Sequence, residues 1–260
     1  MSDYQSPNQE THPEFFEHYI KGRTFFEEGK SAYAKAAFDT ALTHTDRLSV
    51  FQYQDIMTYL AFCEADIGKP DVSLQRFLTL ETILTRGDDW EALTGDIMVL
   101  FPDDYDTSRA GLGSRARLYD TLAITHDKQD KVEEGVEYFS KALEIYNQIG
   151  DLASIANTIT FAVVGHERRE EWSAVVEGAT HIVQIAERFK QAGQRNINTE
   201  LTGVQMLANA HYRQGNLTDA AKYQTDLVTI LREINHPDTE KFERILYNTT
   251  QEIHKKTSLM

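Results

Sequence analysis

The chain is poor in several things at once, and each scarcity removes a class of protein. It holds one cysteine, Cys63, in 260 residues, so no intrachain disulfide can form. That usage fits a reducing compartment rather than a disulfide-stapled secreted domain. Five prolines and fourteen glycines are too few for a collagen-like or low-complexity chain. Apolar runs are short, Ile97-Met98-Val99-Leu100-Phe101 among the longest, far below the roughly 18 residues of a membrane span. The opening MSDYQSPNQETHPE has no basic start followed by an apolar core. Residues 1–11 therefore read as a short disordered lead and not as a signal peptide. Positive charge is scarce too: 26 Lys and Arg stand against 41 Asp and Glu, a net charge of −15. No basic stripe is present, which argues against nucleic acid and against an anionic membrane as partners. The expectation is an acidic cytoplasmic protein whose charge serves solubility.

Catalytic and ligand motifs are equally scarce. Gly111-Leu112-Gly113 lacks the third glycine of a phosphate loop and follows no strand pattern. His166-Glu167-Arg168-Arg169-Glu170 lacks the second histidine of a zinc helix. The acids of residues 87–108 do not have calcium-loop spacing. Cys63 shares a helical face with Ile56, Leu60 and Ile67, so it reads as core and not as a nucleophile. The sequence calls for no catalytic residue, no metal and no cofactor.

What the chain does have is periodicity. GKSAYAKAAFDTAL at 29–42 returns as GKPDVSLQRFLTLE at 68–81, DKVEEGVEYFSKAL at 130–143 and GNLTDAAKYQTDLV at 215–228, with a weaker copy, EEWSAVVEGATHIV, at 170–183. A small position recurs as Ala34, Ser73, Gly135 and Ala220; four residues on stand Phe38, Phe77, Phe139 and then Gln224. Each copy follows another helical pattern about twenty residues earlier, such as EFFEHYIKGRTFFEEG with Gly22 and Phe25. The unit is helix, tight turn, helix. Small residues let two antiparallel helices approach, and the ring fills the space between units.

This pattern resembles the tetratricopeptide repeat family. The residues that carry the resemblance are Gly22, Phe25, Gly29, Tyr33, Ala34, Phe38 and Ala41 in the first unit. Leu122, Ala123, Gly135, Phe139 and Ala142 do so in the third, and Leu207, Ala208, Gly215, Ala220 and Leu227 in the fifth. The turns fall at 29, 68, 130, 170 and 215, wider than the family period of about 34, so the helices are expected to be long. The expected fold is all-α: a right-handed superhelical solenoid of about five repeats in eleven to twelve helices. Repeats one and two occupy 12–86 and repeats three to five 114–235. Residues 87–113 form an acidic insertion with a short helical face at Trp90, Leu93, Ile97 and Leu100, then a loop. That loop is expected to be trypsin's first target, near Arg109 or Arg115. Residues 236–260 form a capping helix and tail, with Phe242, Ile245, Leu246, Thr249 and Ile253 on one face.

In proteins of this type the first helices line a concave groove, and the resemblance implies that the groove binds a protein or peptide. Register places Arg23 outward on the first unit, with Tyr19 and Phe26, and Arg117, Asp120, Ile124 and Lys128 on the third. Asn157, Thr160, Val164 and Arg168 follow on the fourth, then Asn209, Tyr212 and Arg213 on the fifth. Arginine and asparagine suit an extended peptide that carries a carboxylate. His126, His166 and His211 fall at equivalent places, where the family usually has tyrosine, and read as packing residues. The functional expectation is a non-enzymatic adaptor or regulator. The alternatives are an oligomeric scaffold that assembles through the acidic insertion or the terminal helix and, behind it, an enzyme with its site in the groove.

Overall fold

The computed structural model describes residues 13–258. The expectation for the lead at 1–11 lies outside those residues. The fold is all-α, with eleven helices among the described residues: α1 (Pro13–Glu27), α2 (Ser31–Thr43), α3 (Val50–Asp66), α4 (Pro70–Leu84), α5 (Arg109–Lys128), α6 (Val132–Ile149), α7 (Leu152–Arg168), α8 (Trp172–Gln191), α9 (Ile197–Arg213), α10 (Leu217–Glu233) and α11 (Thr239–Ser258). They divide between two compact units, one ending at Ile145 and the other beginning at Tyr146.

The five expected turns all end their first helix in the same way. Gly29, Gly68, Asp130, Glu170 and Gly215 have φ of 70°, 83°, 59°, 58° and 76°. The next amide then reaches back five residues: Lys30 to the Phe25 carbonyl, Lys69 to Glu64, Lys131 to His126, Glu171 to His166 and Asn216 to His211, at 2.8–3.0 Å. This left-handed exit satisfies carbonyls that a helix C-terminus would otherwise leave unpaired. Three turns use glycine, which adopts that conformation without a Cβ clash. Asp130 and Glu170 adopt it at a steric cost. Helix starts are capped as well. Ser49 and Gln52 form a reciprocal capping box on α3, and Ser108, Asp151 and Asn196 each accept an amide at the starts of α5, α7 and α9.

The small-and-ring pattern is the core. Ala34, Ser73, Gly135 and Ala220 are buried, as are Phe38, Phe77, Phe139 and Gln224 four residues on. In the weaker fourth copy Val175, Ala179 and Ile182 take these places, each fully buried, so the repeat persists without its ring. In the first unit Phe38 lies stacked 5.1 Å from Tyr59 and tilted 6.1 Å from Tyr19. In the second, Val204, Leu227, Ile230 and Leu231 form a cluster that receives Phe242 of α11. Of the expected α11 face, Thr249 is buried, Phe242, Leu246 and Ile253 are half-buried and Ile245 stays exposed.

The insertion departs from expectation. Trp90, Leu93, Ile97 and Leu100 do not share a helical face. Trp90–Thr94 is a single 3-10 turn entered through Asp89 at φ 57° and left through Gly95 at φ 62°. Met98–Leu100 is then a strand, β2, with Val99 buried between exposed neighbours. It pairs in parallel with β1 (Arg47–Ser49), and Met98 donates to the Asp46 carbonyl at 2.7 Å. A five-residue apolar run suits either period, and the two positive-φ residues decide against the helix.

The expected loop is also shorter, because Arg109–Gly113 already belong to α5. Tyr105 is fully buried against Phe51 and Phe101. The α5 backbone lies so close to it that a Cβ on Gly111 would sit 1.8 Å from the Tyr105 carbonyl oxygen. Arg115 donates to the Asp106 carbonyl at 3.0 Å. An early trypsin cut at Arg115 is disfavoured, since it is half-buried inside α5, whereas Arg109 is the exposed first residue of that helix.

Candidate functional site

In the first unit, α1, α3 and α5 supply the outward first-helix positions. Arg23 is exposed and pairs with Glu27 one turn on, at 3.7 Å. Beside it the Tyr19 hydroxyl donates to the Asp55 carboxylate. Burial, and then this bond, raises the Tyr19 phenol well above its usual range. Phe26 packs edge-on to Tyr59 at 5.1 Å, and Phe62, 38% exposed, packs edge-on to Phe77 at 5.6 Å. The face thus combines one arginine with an aromatic floor. On α5, Arg117 and Lys128 are exposed and Ile124 half-buried. Asp120 corrects the register, since it is buried. It lies on the stripe Ala116, Asp120, Ala123, at the i, i+4, i+7 spacing that faces inward.

In the second unit, Asn157, Val164 and Arg168 are all exposed on α7. Phe161 joins them, 44% exposed beside Val164 at 42%. The four stand at i, i+4, i+7 and i+11, one stripe with an apolar middle and polar ends. Phe161 replaces the expected Thr160, which is half-buried, on this face; the i, i+4, i+7 spacing from Asn157 to Val164 points to it. On α9, Asn209 and Arg213 are exposed, and the Arg213 guanidinium lies 6.0 Å from the Trp172 ring. Tyr212 is 42% exposed but committed: its hydroxyl donates to Glu252 of α11 at 3.2 Å. Glu252, chiefly through its charge, holds the Tyr212 phenol above its usual range.

Two of the three equivalent histidines pack as expected, and the third does not. His126 stacks on Tyr138 at 5.4 Å and His211 on Tyr223 at 5.5 Å. His166 instead bonds Glu171 across its turn at 2.5 Å. His126 is 6% exposed, and neither ring nitrogen has a hydrogen-bond partner. Burial depresses its pKa. The Cys63 thiol is fully buried and pushed up to about 11, so it is protonated at neutral pH. No group of three or more His, Cys, Asp or Glu side chains among the described residues is arranged to hold a metal. No described helix is long and apolar enough to cross a membrane.

The exits, the small-and-ring core and the helical pairs define an all-α helical repeat fold. Comparison with known proteins agrees. Residues 205–238 match the family described as tetratricopeptide repeat. Among 31 solved chains with matching folds is BtubC (BKLC) from P. vanneervenii. It is 14% identical and superposes with a TM-score of 0.61 over 85% of this chain and 80% of that one. No curated protein matches. At 14% identity the likeness carries the fold alone; the repeat itself points to a protein-interaction role.

Proposed function

We propose that this is a non-enzymatic, cytoplasmic protein that binds an extended peptide segment of a partner on its first-helix faces. The observation that carries this reading is the α7 stripe. Phe161 and Val164 are exposed apolar groups, bracketed by Asn157 and Arg168. Asparagine can satisfy both the amide and the carbonyl of an extended backbone. Arginine suits a carboxylate in two-pronged geometry. On α9, Asn209 and Arg213 repeat the polar part of that arrangement, while Tyr212 is engaged by α11. The α5 positions Arg117 and Lys128 and the α1 position Arg23 give the first unit a face of the same kind.

The test begins with partner capture from the native host and identification of the bound segment. That segment is then titrated by calorimetry against Arg168→Ala, Phe161→Ala and Arg117→Ala. A charge-assisted hydrogen bond is worth about 1.5–3 kcal/mol, so Arg168→Ala should weaken binding about tenfold or more with an unchanged melting temperature. A loss confined to Arg117→Ala would move the site to the first unit. Unchanged affinity in all three would reject the first-helix faces.

A further inference from the structure

The insertion leaves apolar surface that the repeat packing does not use. Met98 is 55% exposed and Leu100 43%. They lie two residues apart on β2 and so share one face, opposite the buried Val99. Beside the strand lies an open cleft of about 710 Å³, lined by every residue from Thr94 to Phe101 together with Arg86, Trp90 and Glu91. Most of its lining is apolar, and it lies within the first unit.

Its rim has one sign of charge. Residues 87–108 carry seven acidic side chains and no basic one. Asp88, Asp89, Glu91, Asp96, Asp103 and Asp104 are all exposed, and none forms an ion pair among the described residues. Arg86 does not offset them. Its guanidinium lies 4.5 Å from the Phe101 ring and 3.7 Å from Asp106, the seventh acid, which also meets Arg115 at 3.5 Å. Two of these acids, Glu91 and Asp96, line the cleft itself, and the other four stand close to its lining residues in the chain.

We propose that this cleft is a docking site for a basic, extended segment of another protein, one whose lysines or arginines alternate with apolar side chains. The apolar side chains would cover Met98, Leu100 and Trp90, and the cations would lie along Glu91, Asp96 and the flanking aspartates. Charge complementarity selects this occupant. A second copy of a chain with net charge −15 would bring acid to acid, and an acidic segment would be repelled. The site is separate from the first-helix faces and does not depend on them.

The probe is a short labelled peptide of alternating lysine and leucine, added to the full chain. Binding is followed by fluorescence anisotropy and by Trp90 emission in a Trp172→Phe background, where Trp90 is the one tryptophan. Expected are saturable binding, a change in Trp90 emission, and weakening as salt rises. The double variant Met98→Ser with Leu100→Ser should weaken binding by about tenfold, since it removes two apolar contacts. Glu91→Gln with Asp96→Asn should weaken it several-fold and reduce its salt dependence. Circular dichroism checks both variants, and if the serine pair unfolds the amide pair decides. The proposal is overturned if a lysine–serine peptide binds equally well, because charge alone then suffices. It is equally overturned if a glutamate–leucine peptide matches the probe, or if the folded variants bind like the parent. Self-association of the parent that the serine pair abolishes would overturn it too, by making a second copy the occupant.

Discussion

Replacing a mid-helix glycine by alanine usually stabilises a helix by about 0.8–1 kcal/mol. At Gly22 the structure reverses the sign. A Cβ there would lie 2.7, 2.7 and 2.9 Å from three ring atoms of Phe38. The ring cannot step aside, because Phe38 is fully buried and stacked on Tyr59 at 5.1 Å. Overpacking of this kind costs about 1–3 kcal/mol, so after the propensity gain of about 0.8–1 kcal/mol Gly22→Ala should destabilise by up to about 2 kcal/mol. Phe38→Leu shortens the side chain at the point of conflict. The double variant should therefore be more stable than the two single effects predict, by about 0.5–1 kcal/mol of coupling. Urea melts should be followed by Trp90 emission in the Trp172→Phe background, because a chain of two units need not unfold in one step. A Gly22→Ala protein more stable than its parent would refute the claim that the small position exists to seat the ring.

The other expectations are brief. Glu170 stands at the left-handed exit of α7 with φ 58°, so Glu170→Gly should stabilise by about 0.5–1 kcal/mol, read in urea melts by Trp172 emission in a Trp90→Phe background, since both residues lie in the second unit; a loss would mean that the exit is not strained. Burial raises the pKa of Glu64, but the Arg76 bonds at 2.7 and 2.9 Å outweigh it and hold the carboxyl below its usual 4.5. Its stabilisation is present above that value and lost as pH falls through the depressed folded pKa. Glu64→Gln should cost about 2–3 kcal/mol at neutral pH and flatten the acid limb of a stability–pH profile. Burial, then Lys131, depresses the pKa of His126 below its usual 6.5. Stability should therefore fall as pH drops below 6.5 and level off once the folded pKa is passed; His126→Tyr should remove that dependence, and an unchanged profile would assign it elsewhere.

The turns and the core were legible because they repeat. A glycine or acid at 29, 68, 130, 170 and 215 recurs in step with the small position five residues on, and the structure places a left-handed exit at each. The insertion was not legible, because nothing in it repeats. Ile97–Phe101 is too short for its period to separate strand from helix. Its pairing partner, Arg47–Ser49, lies some fifty residues back with no pattern of its own. The burial of Tyr105 was hidden as well, since Gly111 looks like a loop glycine until the Tyr105 carbonyl is seen beneath it. On the candidate faces, register found Arg117, Lys128, Asn157 and Arg168 as exposed residues but put Asp120 on the wrong side of α5. Counting from one polar residue to the next cannot see a polar side chain placed in the buried stripe.

The residue whose carbonyl closes each exit varies from repeat to repeat, and its variation follows the residue opposite it in the hairpin. Phe25, Glu64, His126, His166 and His211 hold that place, and the position twelve residues on is Ala37, Arg76, Tyr138, Gly178 and Tyr223. Three of these pairs touch across their hairpin: Glu64 with Arg76, His126 with Tyr138, and His211 with Tyr223. In the fourth hairpin Gly178 leaves no side chain to meet, and a Cβ there would lie 2.4 Å from Val163; His166 turns to Glu171 instead. Where both positions carry large side chains the place holds a matched pair, either an ion pair or two stacked rings; in the first hairpin, with Ala37 opposite, Phe25 packs against Tyr33 instead. That makes the pair transferable. His126→Glu alone should cost about 1–3 kcal/mol, because it buries a carboxylate without a partner. Adding Tyr138→Arg supplies one, and the new guanidinium would also reach Glu81, which the Tyr138 hydroxyl already bonds at 2.7 Å. The double variant should recover about 1–2 kcal/mol relative to the sum of the single changes, read in urea melts by Trp90 emission. Strict additivity would mean that the two positions do not form a unit.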